Sequence, residues 1–288
     1  MSRLLRSLLF VPGNNPRFLE KAKTLSADII CFDLEDSVPL EEKKSARNLV
    51  KGALERRSDY QAEIYVRTNS PVSGLVNDDL AAIVQKGIDG IVVPKVNNVG
   101  ELKKIENTLA GLEKKRKLRP IELMASIESA EGVVNAYQIA SSSKRVSALV
   151  FGVFDLLNDL GVEYTKQAEG ARYARTKIPI DAKAAGRYAL DAIWQDLNDE
   201  TGLEQDCVAA KNLGYAGKTI IHPNQVQTVH GVFHPTNSEI EWAKKVISAY
   251  ELAKQKKKGA TKVEDKMIDE VHYKRAKALL ASANLETG

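Results

Sequence analysis

The chain has little cysteine and no long apolar run, and both absences exclude whole classes of protein. Its two cysteines, Cys31 and Cys207, lie far apart and form no CxxC or zinc-binding pattern. No apolar run approaches the ~18 residues that a membrane-spanning helix needs. The apolar start ends at Pro12-Gly13 without a cleavage site, which disfavours a signal peptide. We therefore expect a reduced, cytoplasmic protein that does not span a membrane.

Strong charge of one sign is also missing, which argues against a nucleic-acid-binding protein. The formal net charge is +4, and the lysine-rich run at 254–258 has no interleaved aromatic residues. We interpret that run as a solvated surface segment. With 43% hydrophobic and 28% charged residues in 288 positions, the composition is that of a globular chain that can build a large core.

The chain does contain a regular alternation of short apolar runs and segments with helical periodicity. Several of the runs are apolar on both faces, as expected of parallel strands that helices cover. Repeated βα units of this kind predict an α/β protein with a TIM (β/α)8 barrel. The predicted strands are Ser7–Val11, Asp28–Asp33, Glu63–Arg67, Gly90–Pro94, Ile121–Ser126, Ala148–Phe151, Ala189–Ile193 and Lys218–Ile221.

The pattern changes after Pro235, which suggests a barrel domain at 1–235 and a C-terminal helical extension at 236–288. Ser238 is a favourable N-cap for the first helix of the extension. The lysine-rich stretch that includes Gly259 is typical of a flexible linker, and an amphipathic helix follows it. We expect such an extension to pack on a neighbouring subunit.

Charged residues follow the predicted strands, and the carboxyl ends of barrel strands form the face that holds active sites. Glu128 and Asp155 follow consecutive strands, so they should lie side by side on that face. Two carboxylates without a nearby cysteine or histidine cluster suit Mg²⁺. The alternative is that each acid only stabilises the N-terminus of the helix after it. Their occurrence at adjacent strand ends favours the metal.

Other strand ends add further charges to this face. Arg67 could bind a carboxylate or stabilise charge that develops on a thioester oxygen. The alternative for Arg67 is a structural ion pair with Glu35 or Asp36. One of the acids at 33–36 could act as a base, or these acids could only hold the barrel together. Lys95 is open to the same two interpretations.

The first βα turn has features of an anion-binding site. Asn15 is a natural N-cap and Pro16 fits the first helical position, where free backbone N–H groups attract an anion. Arg17 and Lys21, four residues apart, share one helical face. A phosphate-bearing cofactor is one interpretation, and ordinary exposed basic residues are the other. His222 could bind substrate or only close the barrel.

Eight motifs, in order along nearly the whole chain, carry a family resemblance. They are Arg6-Ser-Leu-Leu-Phe-Val-Pro-Gly13, Asp33-Leu-Glu-Asp-Ser-Val38, Val66-Arg-Thr-Asn69, Pro94-Lys-Val96, Ile127-Glu-Ser129, Phe151-Gly152 with Asp155-Leu156, Gly217-Lys218 with Ile221-His-Pro223, and Lys266-Met-Ile-Asp269. Their combination resembles the citrate lyase β-subunit-like branch of the HpcH/HpaI aldolase superfamily. That branch includes malyl-CoA, methylmalyl-CoA and citramalyl-CoA lyases.

The resemblance implies a TIM barrel assembled into a homotrimer or hexamer, with Mg²⁺ as cofactor held by Glu128 and Asp155. Arg67 matches the family's substrate arginine. Asp269 would be the catalytic acid or base, supplied by the adjacent subunit's extension, and Glu35 is our further catalytic candidate. The positions expected to bind substrate or coenzyme A are Phe10, Val11, Arg17, Lys21, Arg67, Glu128, Ile220 and Ile221.

The resemblance also implies an acyl-CoA lyase with a retro-Claisen mechanism. Its substrate would be malyl-CoA, methylmalyl-CoA or citramalyl-CoA, cleaved to glyoxylate or pyruvate plus acetyl-CoA or propionyl-CoA. The alternatives are a citryl-thioester lyase β subunit of a citrate lyase complex and a malyl-CoA thioesterase. Citrate lyase β subunits commonly have Asn-Pro in place of His222-Pro223, which favours the stand-alone enzyme. The full set of matched residues argues against a barrel that only senses CoA.

Overall fold

The chain folds into two compact units, which a computed structural model describes for residues 4–166 and 168–283. Residues 5–230 form the first unit, and Leu4 with residues 231–283 forms the second. Among the described residues, no helix is both long enough and apolar enough to cross a bilayer.

The first unit is a closed parallel barrel in which each strand pairs with the next and the first pairs with the last. The eight strands predicted from the sequence are confirmed, with ends that differ by at most two residues. They are β1 (Ser7–Pro12), β2 (Ile29–Asp33), β3 (Glu63–Arg67), β4 (Gly90–Val93), β5 (Glu122–Ile127), β6 (Val146–Phe151), β7 (Tyr188–Asp191) and β8 (Gly217–Ile220).

Apolar side chains fill the barrel, which explains why these segments form strands. Every residue of β2, β4 and β8 is buried, as expected where helices cover the outside of a parallel sheet. The ring of Tyr65 occupies the space beside Gly90, where an added Cβ would lie 2.0 Å from the ring. The interior layer consists mainly of Leu8, Ile29, Cys31, Tyr65, Val92, Met124, Ala148, Val150 and Leu190.

Helices connect the strands, and four of them begin at a residue whose side chain caps the helix. Asn15 accepts hydrogen bonds from the backbone N–H groups of Arg17 and Phe18, which confirms the predicted cap, and Pro16 is the first helical residue. The helices of the barrel are α1 (Pro16–Ala22), α2 (Lys43–Glu55), α3 (Val76–Ile83), α4 (Val99–Arg116), α5 (Ala130–Val134), α6 (Ala136–Ser141), α7 (Val153–Asp159), α8 (Arg172–Ala184), α9 (Glu200–Leu213) and α10 (Gln225–Phe233).

Among the described residues, the second unit contains the last three residues of α10, two further helices and a β-hairpin. These further elements are α11 (Asn237–Gln255), β9 (Ala260–Val263), β10 (Lys266–Asp269) and α12 (Glu270–Ala283), and the two strands are antiparallel. They share a core made of Ala243, Val246, Tyr250, Val263, Ile268 and Ala276. The final helix predicted from the sequence is confirmed.

Two expectations for this unit are wrong. The N-cap of α11 is Thr236 rather than Ser238, because Thr236 and Glu239 form a reciprocal capping box. The flexible linker expected around Gly259 is reduced to a turn at 256–259, and a hairpin follows it. The hairpin forms because Val263 and Ile268 are buried against the helices of the unit, a contact that two very short apolar runs do not reveal in the sequence. Packing of the extension on a neighbouring subunit stays a prediction.

Candidate functional site

A cavity of about 380 Å³ opens at the carboxyl ends of the barrel strands. Its walls come from residues at or just beyond the ends of seven strands, as expected of a barrel active site. The lining residues that carry polar or charged side chains are Asp33, Asp36, Ser37, Arg67, Ser126, Glu128, Asp155 and Thr219. The apolar part of the wall includes Phe10, Val150, Phe151, Ala192, Ile193 and Ile221.

Arg67, the last residue of β3, is held by an aspartate on the neighbouring strand. Its Nε and Nη2 each donate a hydrogen bond to an oxygen of Asp33 at 2.7 Å. This pairing follows from the sheet register, which puts Asp33 opposite Arg67. The guanidinium also lies over the ring of Phe10, 4.4 Å from its centroid. The orientation of Arg67 is therefore set by the protein itself.

The ion pair expected for Arg67 is only partly as predicted. The carboxylate of Glu35 lies 3.5 Å from Nη1 of Arg67, but the main partner is Asp33, and Asp36 instead pairs with Lys95. Burial alone would raise the pKa of Asp33, but the charge and hydrogen bonds of Arg67 outweigh burial and lower this pKa to about 2. Asp33 therefore stays ionised, and its low affinity for a proton makes it a weak general base.

Glu35 has the environment of a group that exchanges protons near neutral pH. Its side chain is only 7% exposed, and it lies 3.0 Å from Nζ of Lys95. Burial, with a smaller contribution from the charge of Asp36, raises the pKa of Glu35 to about 7 against the opposing effect of Arg67. Of the acids at 33–36, Glu35 is the one with the properties of a base.

Lys95 connects the acids of this face. Its backbone φ is +52°, in the left-handed region that residues other than glycine rarely adopt. Its Nζ lies 3.0 Å from Glu35, 3.1 Å from Asp36 and 3.6 Å from Asp155. Such local strain is typical of functional sites.

Glu128 is buried and lacks the capping role that was its alternative interpretation. The neighbouring Ser129 accepts the hydrogen bond from Gly132 N and caps α5. Oε2 of Glu128 is buried and has no hydrogen-bond partner among the described residues. Burial, followed by the negative charge of Glu35, raises the pKa of Glu128 to about 8. A buried oxygen without a donor is a position where a cation would be stabilised.

Asp155 lies in the first turn of α7 and lines the same cavity as Glu128. Its side chain is 43% exposed, and its charge contributes to the raised pKa of Glu128. Because Asp155 is in a first turn, its interaction with the helix N-terminus is also present. Glu128 and Asp155 therefore lie at the same cavity, as the sequence predicted.

The donor set at this mouth fits Mg²⁺, because Glu128 and Asp155 offer carboxylate oxygens to the same cavity. Mg²⁺ typically uses one or two protein carboxylates and fills its remaining positions with water and substrate oxygens. Glu128 and Asp155 can supply those two carboxylates.

Gly152 provides the space that Glu128 occupies. A Cβ at position 152 would lie 2.4 Å from Cγ and 2.9 Å from Cδ of Glu128, which is closer than real carbon atoms approach. From the sequence, Asp33 is one of three candidate acids and is not identified as the partner of Arg67, and Gly152 is given no role of its own. The pairing of Asp33 with Arg67 could have been predicted, because the two residues end neighbouring strands. Nothing in the sequence indicates the role of Gly152 except that it belongs to one of the motifs.

The residues proposed to bind coenzyme A do not all face the cavity. Phe10 and Ile221 line it. Val11 and Ile220 are buried in the barrel wall and do not line the cavity. The remaining pair, Arg17 and Lys21, is exposed on α1 and outside the cavity lining. His222 is exposed, and its Nδ1 lies 2.6 Å from Oδ1 of Asn224.

Asp269 lies in the second compact unit, at the end of β10. Its side chain is partly exposed and contacts His272 of the same unit. All residues that line the cavity belong to the first unit. The role of Asp269 therefore stays a prediction.

We call the charged residues that line the cavity, together with Glu35 and Lys95, which do not line it but contact residues that do, the site cluster. A second group of buried charges, the paired cluster, joins β7 and β8 to α8 and α9, and the sequence reasoning did not single it out. The site cluster is Asp33, Glu35, Asp36, Arg67, Lys95, Glu128 and Asp155. The paired cluster is Arg175, Asp191, Asp206 and Lys218.

Comparison with known proteins gives a consistent result along the whole chain. The HpcH/HpaI aldolase/citrate lyase family matches residues 6–223. The citrate lyase subunit beta of Leuconostoc mesenteroides subsp. cremoris is 38% identical over 284 residues, which cover 98% of this chain and 94% of that protein. A (3S)-malyl-CoA thioesterase of Cereibacter sphaeroides is 35% identical over 279 residues, 96% of this chain and 94% of that protein.

A solved structure agrees with this result. CitE from Mycobacterium tuberculosis, in complex with magnesium, acetoacetate and coenzyme A, superposes with a TM-score of 0.80 at 27% identity. The match covers 97% of this chain and 98% of that one.

Proposed function

Because the chain belongs to the HpcH/HpaI aldolase/citrate lyase family, we propose that it is a Mg²⁺-dependent lyase acting on a 3-hydroxyacyl thioester. Cleavage of the carbon–carbon bond would release a 2-oxo acid and leave a shorter acyl thioester. The observation that carries the proposal is the buried Glu128 carboxyl, whose Oε2 has no hydrogen-bond partner among the described residues. It lines one cavity with Asp155 and Arg67.

Glu128 and Asp155 are the proposed Mg²⁺ ligands. The complex of the M. tuberculosis relative contains magnesium, which supports the choice of cofactor, and the shared cavity of the two acids supports the choice of ligands. When bound, Mg²⁺ supplies Lewis-acid stabilisation of the negative charge that develops on the substrate's hydroxyl oxygen. The neighbouring Gly152 leaves room for the side chain of Glu128, which a side chain at position 152 would displace.

Arg67 is proposed to stabilise the thioester oxygen as negative charge develops on it. Since Asp33 engages two nitrogens of the guanidinium, its orientation is set before substrate binds. A donor that is already oriented costs no reorganisation during the reaction, and one such donor is worth roughly 3–4 kcal/mol of transition-state stabilisation.

Glu35 is proposed to accept the proton of the substrate hydroxyl. Its buried carboxyl, with a pKa raised to about 7 by burial, can lose and regain a proton at neutral pH. Arg67 and Lys95 lie 3.5 Å and 3.0 Å from its two oxygens. Both cations orient the carboxyl and favour its ionised form.

Asp269 of an adjacent copy is proposed to exchange a proton with the α-carbon of the acyl thioester. It would protonate the enolate after cleavage and abstract the same proton in condensation. This role requires an oligomer, a homotrimer or a hexamer, in which the second unit of one copy reaches the cavity of another. Light scattering during size-exclusion chromatography measures that oligomeric state.

Mixed oligomers test the supply of Asp269 in trans. Asp269→Asn and Glu128→Gln should each be inactive alone. When the two variants are co-expressed, some mixed interfaces combine an intact cavity with an intact Asp269, so turnover should reappear. No recovery in oligomers whose mixed composition is verified by mass would contradict the proposal, and so would full activity of Asp269→Asn alone.

The acyl carrier and the 2-oxo acid distinguish three candidate reactions. We propose a stand-alone lyase for malyl-CoA, methylmalyl-CoA or citramalyl-CoA as the first candidate. A citryl-thioester lyase subunit is the second, supported by 38% identity to a citrate lyase subunit beta. Hydrolysis of malyl-CoA is the third, supported by 35% identity to a (3S)-malyl-CoA thioesterase.

A panel of thioesters separates these candidates. The protein is incubated with malyl-CoA, methylmalyl-CoA, citramalyl-CoA or citryl-CoA, with and without Mg²⁺, and 2-oxo acid and free CoA are both measured. A lyase releases glyoxylate, pyruvate or oxaloacetate without free CoA, whereas a thioesterase releases free CoA. Copurification with an acyl-carrier subunit would favour the citrate lyase complex. Absence of Mg²⁺-dependent turnover with every thioester would refute the proposed function.

A further inference from the structure

The two carboxylate oxygens of Asp269 have different surroundings. Oδ1 accepts hydrogen bonds from the backbone N–H groups of Val271 at 3.0 Å and His272 at 3.3 Å. It also lies 2.6 Å from Nδ1 of the His272 ring. Among the residues that the structure describes, none is hydrogen-bonded to Oδ2. One oxygen therefore takes every donor, and the other remains available.

The short contact assigns the proton on the imidazole. An ionised carboxylate can only accept hydrogen bonds, so the 2.6 Å contact requires a hydrogen on Nδ1. Hydrogen bonds from the ring and the backbone N–H of His272 lower the pKa of Asp269 from its ordinary value. The carboxylate is thus ionised at neutral pH and restrained through Oδ1.

These contacts also cap α12, so a purely structural role has to be separated from a functional one. The two backbone N–H bonds to Oδ1 are sufficient for a helix cap. Because Nδ1 carries a hydrogen, it cannot also accept a hydrogen bond from the backbone N–H of Asp269, which lies 3.4 Å away. The imidazole donor is therefore additional to the cap, and its effect is on the rotation of the carboxylate.

We propose that His272 is a positioning residue for Asp269, because its Nδ1–H restrains the carboxylate so that Oδ2 exchanges the proton with the substrate's α-carbon. The inference rests on the proposed role of Asp269 as acid or base. In condensation, the ionised Oδ2 takes the proton of the α-carbon. In cleavage, Oδ2 first takes up a proton from solvent and then gives it to the enolate carbon. The imidazole keeps its own proton in both directions. A carboxylate that rotates freely spends less time in the reactive geometry, a loss that reaches about a hundredfold in rate.

The test compares wild type with His272→Leu and His272→Asn in the full-length oligomer. The probes are malyl-CoA, citramalyl-CoA and citryl-CoA with saturating Mg²⁺. Leucine removes the donor, whereas the asparagine side-chain amide returns an N–H donor close to the position of Nδ1. We expect kcat of His272→Leu to fall about ten- to a hundredfold with KM within about twofold, and His272→Asn to recover most of kcat.

A matched control lies two residues further along the same helix. Lys274→Ala removes an exposed ion pair with Glu270 and should leave kcat and KM unchanged. Circular dichroism and the thermal midpoint of each variant establish that the second unit remains folded. If His272→Leu fails to fold, His272→Gln replaces it. Its longer side chain moves the donor away from the position of Nδ1, so its kcat should be lower than that of His272→Asn.

The outcomes separate this inference from the proposed function. An active Asp269→Asn variant refutes the role of Asp269 itself. An inactive Asp269→Asn variant together with a fully active His272→Leu variant refutes the positioning role alone. Equal loss of kcat in His272→Leu and His272→Asn also overturns it, since a restored donor at the position of Nδ1 should restore the rate.

Discussion

The site cluster and the paired cluster both contain buried charged side chains, yet they differ in how completely their charges are matched. In the paired cluster, Asp191 is fully buried and Lys218 is 1% exposed. Both oxygens of Asp191 accept hydrogen bonds from Arg175 or Lys218, and the same two cations also reach Asp206. Two acids are matched by two bases.

The site cluster lacks that balance. Arg67 and Lys95 pair with Asp33, Glu35 and Asp36, but Oε2 of Glu128 has no hydrogen-bond partner among the described residues. The pKa values of Glu35 and Glu128 are raised by burial and by neighbouring acids. Buried charge by itself therefore does not distinguish the candidate site from the rest of the barrel. A buried acid without a hydrogen-bond partner does.

The largest expected effect is on activity in the site cluster. Glu128→Gln should abolish Mg²⁺ binding and lower turnover at least about a thousandfold, because a bound metal contributes several kcal/mol to the transition state. The free energy of unfolding should stay the same or rise, since a buried unmatched acid is removed. Calorimetric Mg²⁺ titration and urea denaturation measure the two effects. Retained Mg²⁺ affinity would contradict the comparison.

The reverse pattern is expected in the paired cluster. Lys218→Met leaves Asp191 and Asp206 with one cation fewer in a buried setting, which should lower the free energy of unfolding by about 3–5 kcal/mol. Mg²⁺ affinity of the folded protein should not change. Lys244→Met is the control, because its pair with Glu241 is exposed to solvent and its loss should leave the free energy of unfolding nearly unchanged. Equal stability of the two variants would remove the distinction between the clusters.

Acid titration tests the matched part of the site cluster. The pKa of Asp33 is lowered from 3.8 to about 2, so its ionisation stabilises the folded state above pH 3.8, and this contribution is lost as pH falls through 2. Asp33→Asn should lower the free energy of unfolding by about 2 kcal/mol at pH 7. The difference from wild type should shrink between pH 4 and pH 2 in urea denaturation. A difference independent of pH would show that charge is not its cause.

The smallest effect concerns the space beside Glu128. Gly152→Ala puts a methyl group where Glu128 lies, so the carboxylate must move and Mg²⁺ affinity should fall about tenfold. Gly111→Ala is the matched control, because a Cβ at Gly111 in α4 meets no atom within 4 Å. That control should leave Mg²⁺ affinity unchanged and add up to about 1 kcal/mol of helix stability. Equal affinity in the two variants would refute the steric role of Gly152.

Much of the fold and part of the site could be predicted from the sequence. The strands of the barrel are short apolar runs with distinct boundaries, so their number and order are readable locally. Glu128, Asp155 and Arg67 could be placed at one face because strand ends in a parallel barrel share that face. The roles of Asp269 and of the coenzyme A residues depended on family resemblance, and they stay predictions, as does the cytoplasmic location.

Local pattern thus determined the barrel and the charged residues at its mouth, because strand periodicity and chain direction are properties of neighbouring residues. Tertiary structure alone decided which charges pair. Arg67 binds Asp33 rather than Asp36 because the register of two strands puts them opposite each other. The hairpin of the second unit exists because Val263 and Ile268 are buried against its helices. Both outcomes depend on contacts between different strands and helices, and the energies of such contacts cannot be judged from a short stretch of sequence.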